Sequence, residues 1–95
     1  MLDDILSTTQ AGLKFDINSL TTGDHAVNSD HYQGKAVDLH AIRGTSYQDL
    51  YDKMKELGGD SLSQIMCEDT AGIIPGPDTC NNPKRKPNHL HVGYK

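Results

Sequence analysis

The sequence contains no tryptophan and a single phenylalanine among its 95 residues, so the interior of the protein has few large aromatic side chains. A chain of this length buries only about 60 to 70% of the surface that its unfolded form exposes, which also indicates a modest core. Hydrophobic residues at 35% and charged residues at 23% are still typical of a globular chain rather than a disordered one. We therefore predict one domain, residues 1–95, and we expect a monomer.

Several functional classes are excluded by what the sequence lacks. No apolar run approaches the roughly 20 residues of a membrane span, and the N-terminus has no basic region followed by a hydrophobic segment, as a signal peptide would. The formal charge of −4 argues against a nucleic-acid partner, which would require a basic surface. The one basic run, 84–86, stands between two prolines and is interpreted as a solvated loop. The cellular location stays unknown.

Only two cysteines are present, Cys67 and Cys80. They enclose a loop that is rich in glycine and proline, so a local disulfide is sterically plausible. Their spacing matches neither a zinc ribbon nor a redox motif. A disulfide, two free thiols and participation in a metal site all stay open at this point.

Hydrophobic periodicity predicts an α+β domain in which helices pack on one face of a mostly antiparallel sheet. Helical spacing occurs at Leu2, Ile5 and Leu6, and again after Thr45-Ser46-Tyr47-Gln48, which resembles a capping box. The second helix is expected to stop at Gly58-Gly59. Alternating patterns predict four strands, at residues 13–19, 35–42, 62–68 and 88–94, with loops at 21–33 and 69–87.

All five histidines fall in two groups, and strand alternation predicts where they point. His25 and His31 lie in the first predicted loop. In the strand that follows, Asp38 and His40 share a face, and in the last strand His89 and His91 share the face opposite the apolar residues. The polar faces of these two strands are therefore expected to carry most of the functional groups.

His31 and Asp38, seven positions apart, together with a later His-x-His strand, supply three ligands and leave a fourth position open. Catalytic zinc is held in this way. We predict that His31, Asp38 and His91 bind Zn²⁺. Gly34 would permit a close approach of the loop to the strand, and Ala36 would leave space beside the metal.

The pattern Ser29-x-His31-x-x-Gly34-x-Ala36-x-Asp38, followed by His89-x-His91, resembles the signature of the zinc D-alanyl-D-alanine carboxypeptidase family. That family shares its fold with the Hedgehog signalling domain. The resemblance covers about two thirds of the chain, from His25 through Tyr94. It implies the Hedgehog/DD-peptidase fold and the same three zinc ligands. The stretch 23–38 is most similar to the Hedgehog branch, where a histidine corresponding to His25 sits beside the metal.

The resemblance also implies a zinc metallopeptidase in which metal-activated water attacks a peptide carbonyl, with peptidoglycan stem or cross-link peptides as substrates. A side chain must then carry a proton to the leaving amine. Glu68 is the first candidate for that role and His89 the second, while His25 would stabilise the oxyanion or orient water. Asp69 ranks lower because it lies on the opposite strand face. Such peptidases act on the cell wall, which suggests a cell-wall-facing location.

Two departures from the family pattern keep other functions open. No acidic residue lies a few positions before His91, so Glu68 can serve only if its strand lies beside the last strand. The segment 18–22 lacks the arginine that holds a substrate carboxylate in many family peptidases, so Arg43, Lys35 or the cluster 84–86 would have to replace it. The alternatives are a catalytically inactive zinc-containing binding module of Hedgehog type and a metal-free interaction domain.

Overall fold

The computed structural model of the protein describes residues 1–21 and 35–95, which form an α+β fold with two helices and a five-stranded antiparallel sheet. The elements in chain order are α1 (Leu2–Gln10), β1 (Phe15–Thr21), β2 (Ala36–Ala41), α2 (Tyr47–Gly58), β3 (Leu62–Asp69), β4 (Gly72–Ile73) and β5 (His89–Tyr94). A three-residue 3-10 turn, Gly59–Ser61, joins α2 to β3. Within these ranges no helix combines the length and the apolar character that crossing a membrane requires.

The order of strands in the sheet is β1-β2-β5-β3-β4. Strand β5 therefore lies between β2 and β3 and is antiparallel to both. Because β2 and β3 run parallel to each other, α2 serves as the crossover that connects them. The C-terminal strand is thus central in the sheet, and its two neighbours come from the middle of the chain.

One face of the sheet is apolar and is covered by the helices. In β2 and β5 the buried positions alternate as the sequence predicted, and the buried cluster joins these strands to side chains of both helices. Its members include Val37, Leu39, Leu90, Val92, Tyr94, Ile5, Leu50 and Met54. The opposite face of the same strands is left to polar side chains.

Helix α2 begins one residue later than the predicted capping box implies. Ser46, rather than Thr45, is the N-cap, and its hydroxyl accepts a hydrogen bond from the backbone N–H of Asp49 at 3.0 Å. The hydroxyl of Thr45 instead accepts from the backbone N–H of Lys14, ahead of β1. The end of the helix agrees with the prediction, because α2 stops at Gly58 and Gly59 takes a positive φ of 49°.

The region between β3 and β5, predicted as a plain loop, contains the short strand β4 and a disulfide between Cys67 and Cys80. Both sulfur-bearing residues are buried. The hydroxyl of Thr79, also buried, donates to the carbonyl of Ile74 and accepts from the backbone N–H of Cys67. These contacts hold the loop against β3, so the disulfide alternative is the one that the structure contains.

Candidate functional site

The polar face of the sheet brings together side chains from β2, β5 and β3. In the register of these strands Asp38 is opposite His91, and Glu68 is opposite His89. Residues opposite each other in antiparallel strands point to the same face. Four residues that the sequence singled out therefore lie on one surface, and β3 is beside the last strand, as the proposed role of Glu68 requires.

Asp38 and His91 are in direct contact. The Oδ1 atom of Asp38 is 2.9 Å from Nδ1 of His91, and the two side chains are 29% and 24% exposed. The second ring nitrogen of His91, Nε2, lies 3.2 Å from Oε1 of Gln64. The two side chains are therefore partly covered by their neighbours, and the exposed parts are accessible to solvent.

This contact fits two neighbouring ligands of one zinc ion. Nitrogen and oxygen ligands bound to tetrahedral zinc at about 2.0 to 2.1 Å are about 3.3 Å apart. The distance between Asp38 Oδ1 and His91 Nδ1 would therefore have to increase by only a few tenths of an ångström. Imidazole and carboxylate are also donors that zinc prefers. His31, the third predicted ligand, and His25 lie outside the described residues. Within 1–21 and 35–95, no three His, Cys, Asp or Glu side chains are grouped so that they could hold a metal ion.

Glu68 and His89 form a second pair on the same face. Oε1 of Glu68 is 3.3 Å from Nε2 of His89, and the side chains are 24% and 23% exposed. His89 precedes His91 by two positions on β5, which places their Cα atoms about 7 Å apart along the strand. The Glu68–His89 pair thus lies two residues along β5 from the Asp38–His91 pair, on the same face of the sheet.

Asn88 connects both members of this second pair. Its side-chain Oδ1 is 2.6 Å from Nδ1 of His89, and its backbone N–H donates to the carbonyl oxygen of Glu68 at 2.8 Å. One ring nitrogen of His89 is held by Asn88, and the other is therefore directed at the Glu68 carboxylate. Asn88 was not predicted as a functional residue, although its position directly before the His-x-His strand was an available signal.

His40 and Tyr47 hold the backbone of Asn88 from the other side. The Tyr47 hydroxyl donates to the carbonyl oxygen of Asn88 at 2.7 Å, and Nδ1 of His40 lies 3.1 Å from the same oxygen. Burial raises the pKa of Tyr47, although a hydrogen bond with the backbone of Ala41 lowers it, so the hydroxyl keeps its proton and remains a donor. His40 therefore supports the Glu68–His89 pair rather than the Asp38–His91 pair.

The basic cluster at 84–86 is only partly available to a substrate. The guanidinium of Arg85 forms a two-pronged contact with Asp69, with Nε 2.8 Å from Oδ2 and Nη2 2.6 Å from Oδ1. These bonds hold the pKa of Asp69 down, from 3.8 to about 2. Bidentate contacts of this kind fix both side chains, so Arg85 serves the loop after β4 rather than a substrate carboxylate.

Comparison of the chain with protein-family models, with curated proteins and with solved structures gave no match.

Proposed function

We propose that the protein is a zinc metallopeptidase of the Hedgehog/DD-peptidase fold that cleaves short peptides with D-amino acids, such as peptidoglycan stem or cross-link peptides. The observation that carries the proposal is the contact of Asp38 Oδ1 with His91 Nδ1 at 2.9 Å, with Glu68 and His89 beside it on the same face. With His31 as the third ligand, these residues would hold the metal.

The metal and the protein side chains have separate tasks. Zinc held by His31, Asp38 and His91 would polarise a carbonyl and lower the pKa of a bound water from about 15.7 toward roughly 7. Glu68 would accept a proton from the attacking water and return it to the leaving amine. His89 is oriented by Asn88, and its Nε2 atom shares the proton with Glu68 at a separation of 3.3 Å.

The test is incubation of the zinc-loaded protein with purified peptidoglycan and defined stem peptides, with released fragments identified by mass spectrometry. We expect cleavage that disappears in His91→Ala and in Asp38→Ala, together with the bound zinc. Asp60→Ala, which removes an exposed carboxylate from the turn after α2, is the matched control and should retain both. Zinc retained at full stoichiometry by both site variants would refute the site.

Proton transfer is tested separately by Glu68→Gln, which keeps the shape of the side chain but removes its ability to accept a proton. We expect zinc binding to persist and the rate to fall by a factor of about 10² to 10⁴. Glu56→Gln, on the exposed surface of α2, is the matched control and should keep the full rate. An unchanged rate in Glu68→Gln would transfer the role to His89.

One observation favours the inactive binding module as a second candidate. Segment 18–22 contains no arginine, and Arg85 is engaged by Asp69, so recognition of a terminal carboxylate would have to rely on Arg43 or on lysine side chains such as Lys35. Stem peptides with a free and with an amidated C-terminus distinguish the outcomes. Cleavage of both indicates an endopeptidase, cleavage of the free form alone indicates a carboxypeptidase, and full zinc occupancy without cleavage of any substrate favours the binding module.

A further inference from the structure

We propose that Gln64 is a positioning residue for the metal site, and that its carboxamide determines which ring nitrogen of His91 is presented to the metal. The inference rests on the proposed zinc site, but it does not require that the protein cleaves peptides. It concerns a residue that no feature of the sequence singled out. Three observations support it: an irregularity in β3, a glycine in β5 and the contacts of the His91 ring.

The irregularity places Gln64 on the polar face. Leu62 is opposite Tyr94, whereas Gln64 is opposite Gly93, so Ser63 is an extra residue in β3. In a regular strand residues 62 and 64 would share a face, and Gln64 would point with Leu62 toward the helices. The extra residue reverses the alternation, and from Gln64 onward the even-numbered residues of β3 share the face of His91.

The glycine opposite Gln64 lies next to the side chain that extends toward His91. A Cβ atom placed on Gly93 would be 3.6 Å from Cβ of Gln64, 3.7 Å from its Oε1 and only 3.0 Å from Oγ of Ser63. The two distances to Gln64 are ordinary van der Waals contacts, and only the contact with Ser63 is tight. The side chain of Gln64 therefore lies alongside position 93 and extends to His91, the next residue of β5 on the same face.

The ring contacts then assign the two nitrogens of His91 to different partners. Nε2 lies 3.2 Å from Oε1 of Gln64, and Nδ1 lies 2.9 Å from Oδ1 of Asp38. An amide oxygen only accepts hydrogen bonds, so it is satisfied when Nε2 carries the proton, and the lone pair of a neutral ring is then at Nδ1. A lone pair that faces a carboxylate oxygen at this distance is stable only with a proton or a cation between them.

Gln64 therefore prepares Nδ1 as the metal ligand. Metal-binding histidines almost always donate their second N–H to a carboxylate or a carbonyl oxygen, and loss of that partner weakens metal binding by a factor of 10 to 100. Gln64 contacts Nε2, whereas Asp38 contacts Nδ1, so Gln64 acts on the ring from the side away from Asp38. Its contribution is to the orientation and tautomer of His91.

The experiment measures zinc affinity by competition with a chelator of known strength for three variants. We expect Gln64→Met, which keeps the length but loses the acceptor, to bind zinc about 10 to 100 times more weakly than the wild type. Gln64→Glu keeps an acceptor oxygen and should restore the affinity to within about threefold of the wild type. Gln10→Met, at the exposed end of α1, is the matched control and should bind like the wild type.

A second readout is independent of both affinity and activity. Long-range ¹⁵N–¹H correlation spectra of the histidine rings, recorded on the zinc-loaded wild type, identify the coordinated and the protonated nitrogen. We expect coordination of His91 through Nδ1 and a proton on Nε2. Coordination through Nε2, unchanged affinity in Gln64→Met, or a wild type that takes up no zinc would each overturn the proposal. Absence of peptide cleavage would refute only the proposed peptidase.

Discussion

Leu90 and His91 are neighbours in the central strand, yet they belong to two different parts of the protein. Leu90 is completely buried under the helices, whereas His91 is about a quarter exposed and both of its ring nitrogens contact polar side chains. The apolar face is held by burial, and the polar face by directional contacts among Asp38, Gln64, Asn88 and Glu68. Stability and chemistry should therefore respond to different substitutions, even when these are one residue apart.

The largest expected effect is that of Leu90→Ala. Removing a fully buried leucine side chain costs about 2 to 5 kcal/mol of unfolding free energy, since both the transfer energy and packing are lost. His91→Ala in the zinc-free protein should cost only about 1 kcal/mol, the value of a typical hydrogen bond. Chemical denaturation of both variants without zinc is the measurement, and equal losses would show that the two faces are not separate.

Removal of the disulfide should have the next largest effect on stability, and both of its cysteines belong to the apolar core. Cys67 and Cys80 are 13 positions apart, and a closed loop of this size restricts the unfolded chain by about 3 kcal/mol. The double variant Cys67→Ala, Cys80→Ala should lose this amount and become insensitive to reductant. Urea unfolding of wild type and variant, each with and without reductant, measures it. A wild type unaffected by reductant would contradict the assignment.

Metal removal tests the polar face, and its effect is also measured as a change in the stability of the folded protein. A ligand present at 100 times its dissociation constant stabilises the folded protein by about 2.7 kcal/mol, because it binds only the folded form. For a chain of this size we expect chelation to lower the melting temperature by at least about 10 °C. His91→Ala should melt at one temperature with or without chelator. Identical melting of the wild type in both conditions would remove the link between metal and folding.

Sequence patterns predicted those parts of the fold that depend on regular alternation. The faces of β2 and β5, and hence the positions of Asp38, His40, His89 and His91, follow from strand parity alone, and the structure agrees with them. Glu68 can serve as predicted only if its strand lies beside the last strand, and the pairing of β3 with β5 meets this condition. The roles of these residues and the zinc itself remain predictions, as do His25 and His31.

What the patterns missed depends on local irregularities. The extra residue Ser63 reverses which residues of β3 point to the polar face. No residue type in this part of the sequence signals the irregularity, so the face of Gln64 could not be predicted. Strand β4 is two residues long and depends on a turn in which Asp69 accepts from the backbone of Ala71. Alternation in the strand predicted at 13–19 groups Ile17 with Leu13 and Phe15 on one apolar face, yet Ile17 is 47% exposed in β1, an edge strand with a register shift directly after this residue.

The smallest effect concerns Asp69, a charged residue that belongs to the fold rather than to the site. Asp69 follows Cys67 by two residues in β3, so its side chain points away from the polar face. Arg85 holds the pKa of Asp69 at about 2, mainly by donating hydrogen bonds to the carboxylate. A carboxyl group with a lowered pKa stabilises the folded state above its ordinary value of 3.8. This contribution is lost progressively as the pH falls from about 4 through 2.

Asp69→Asn should therefore melt below the wild type at pH 7 and pH 5, with a difference that shrinks at pH 3 and is small at pH 2, where about half of the wild-type carboxyl is protonated as well. Melting curves at these four pH values, recorded for both proteins, are the measurement. Zinc affinity and the rate of peptide cleavage should stay at wild-type values, since Asp69 does not face His91. A reduced rate with unchanged stability would instead assign the proton-carrying role to Asp69, and the division between the two faces would fail at β3.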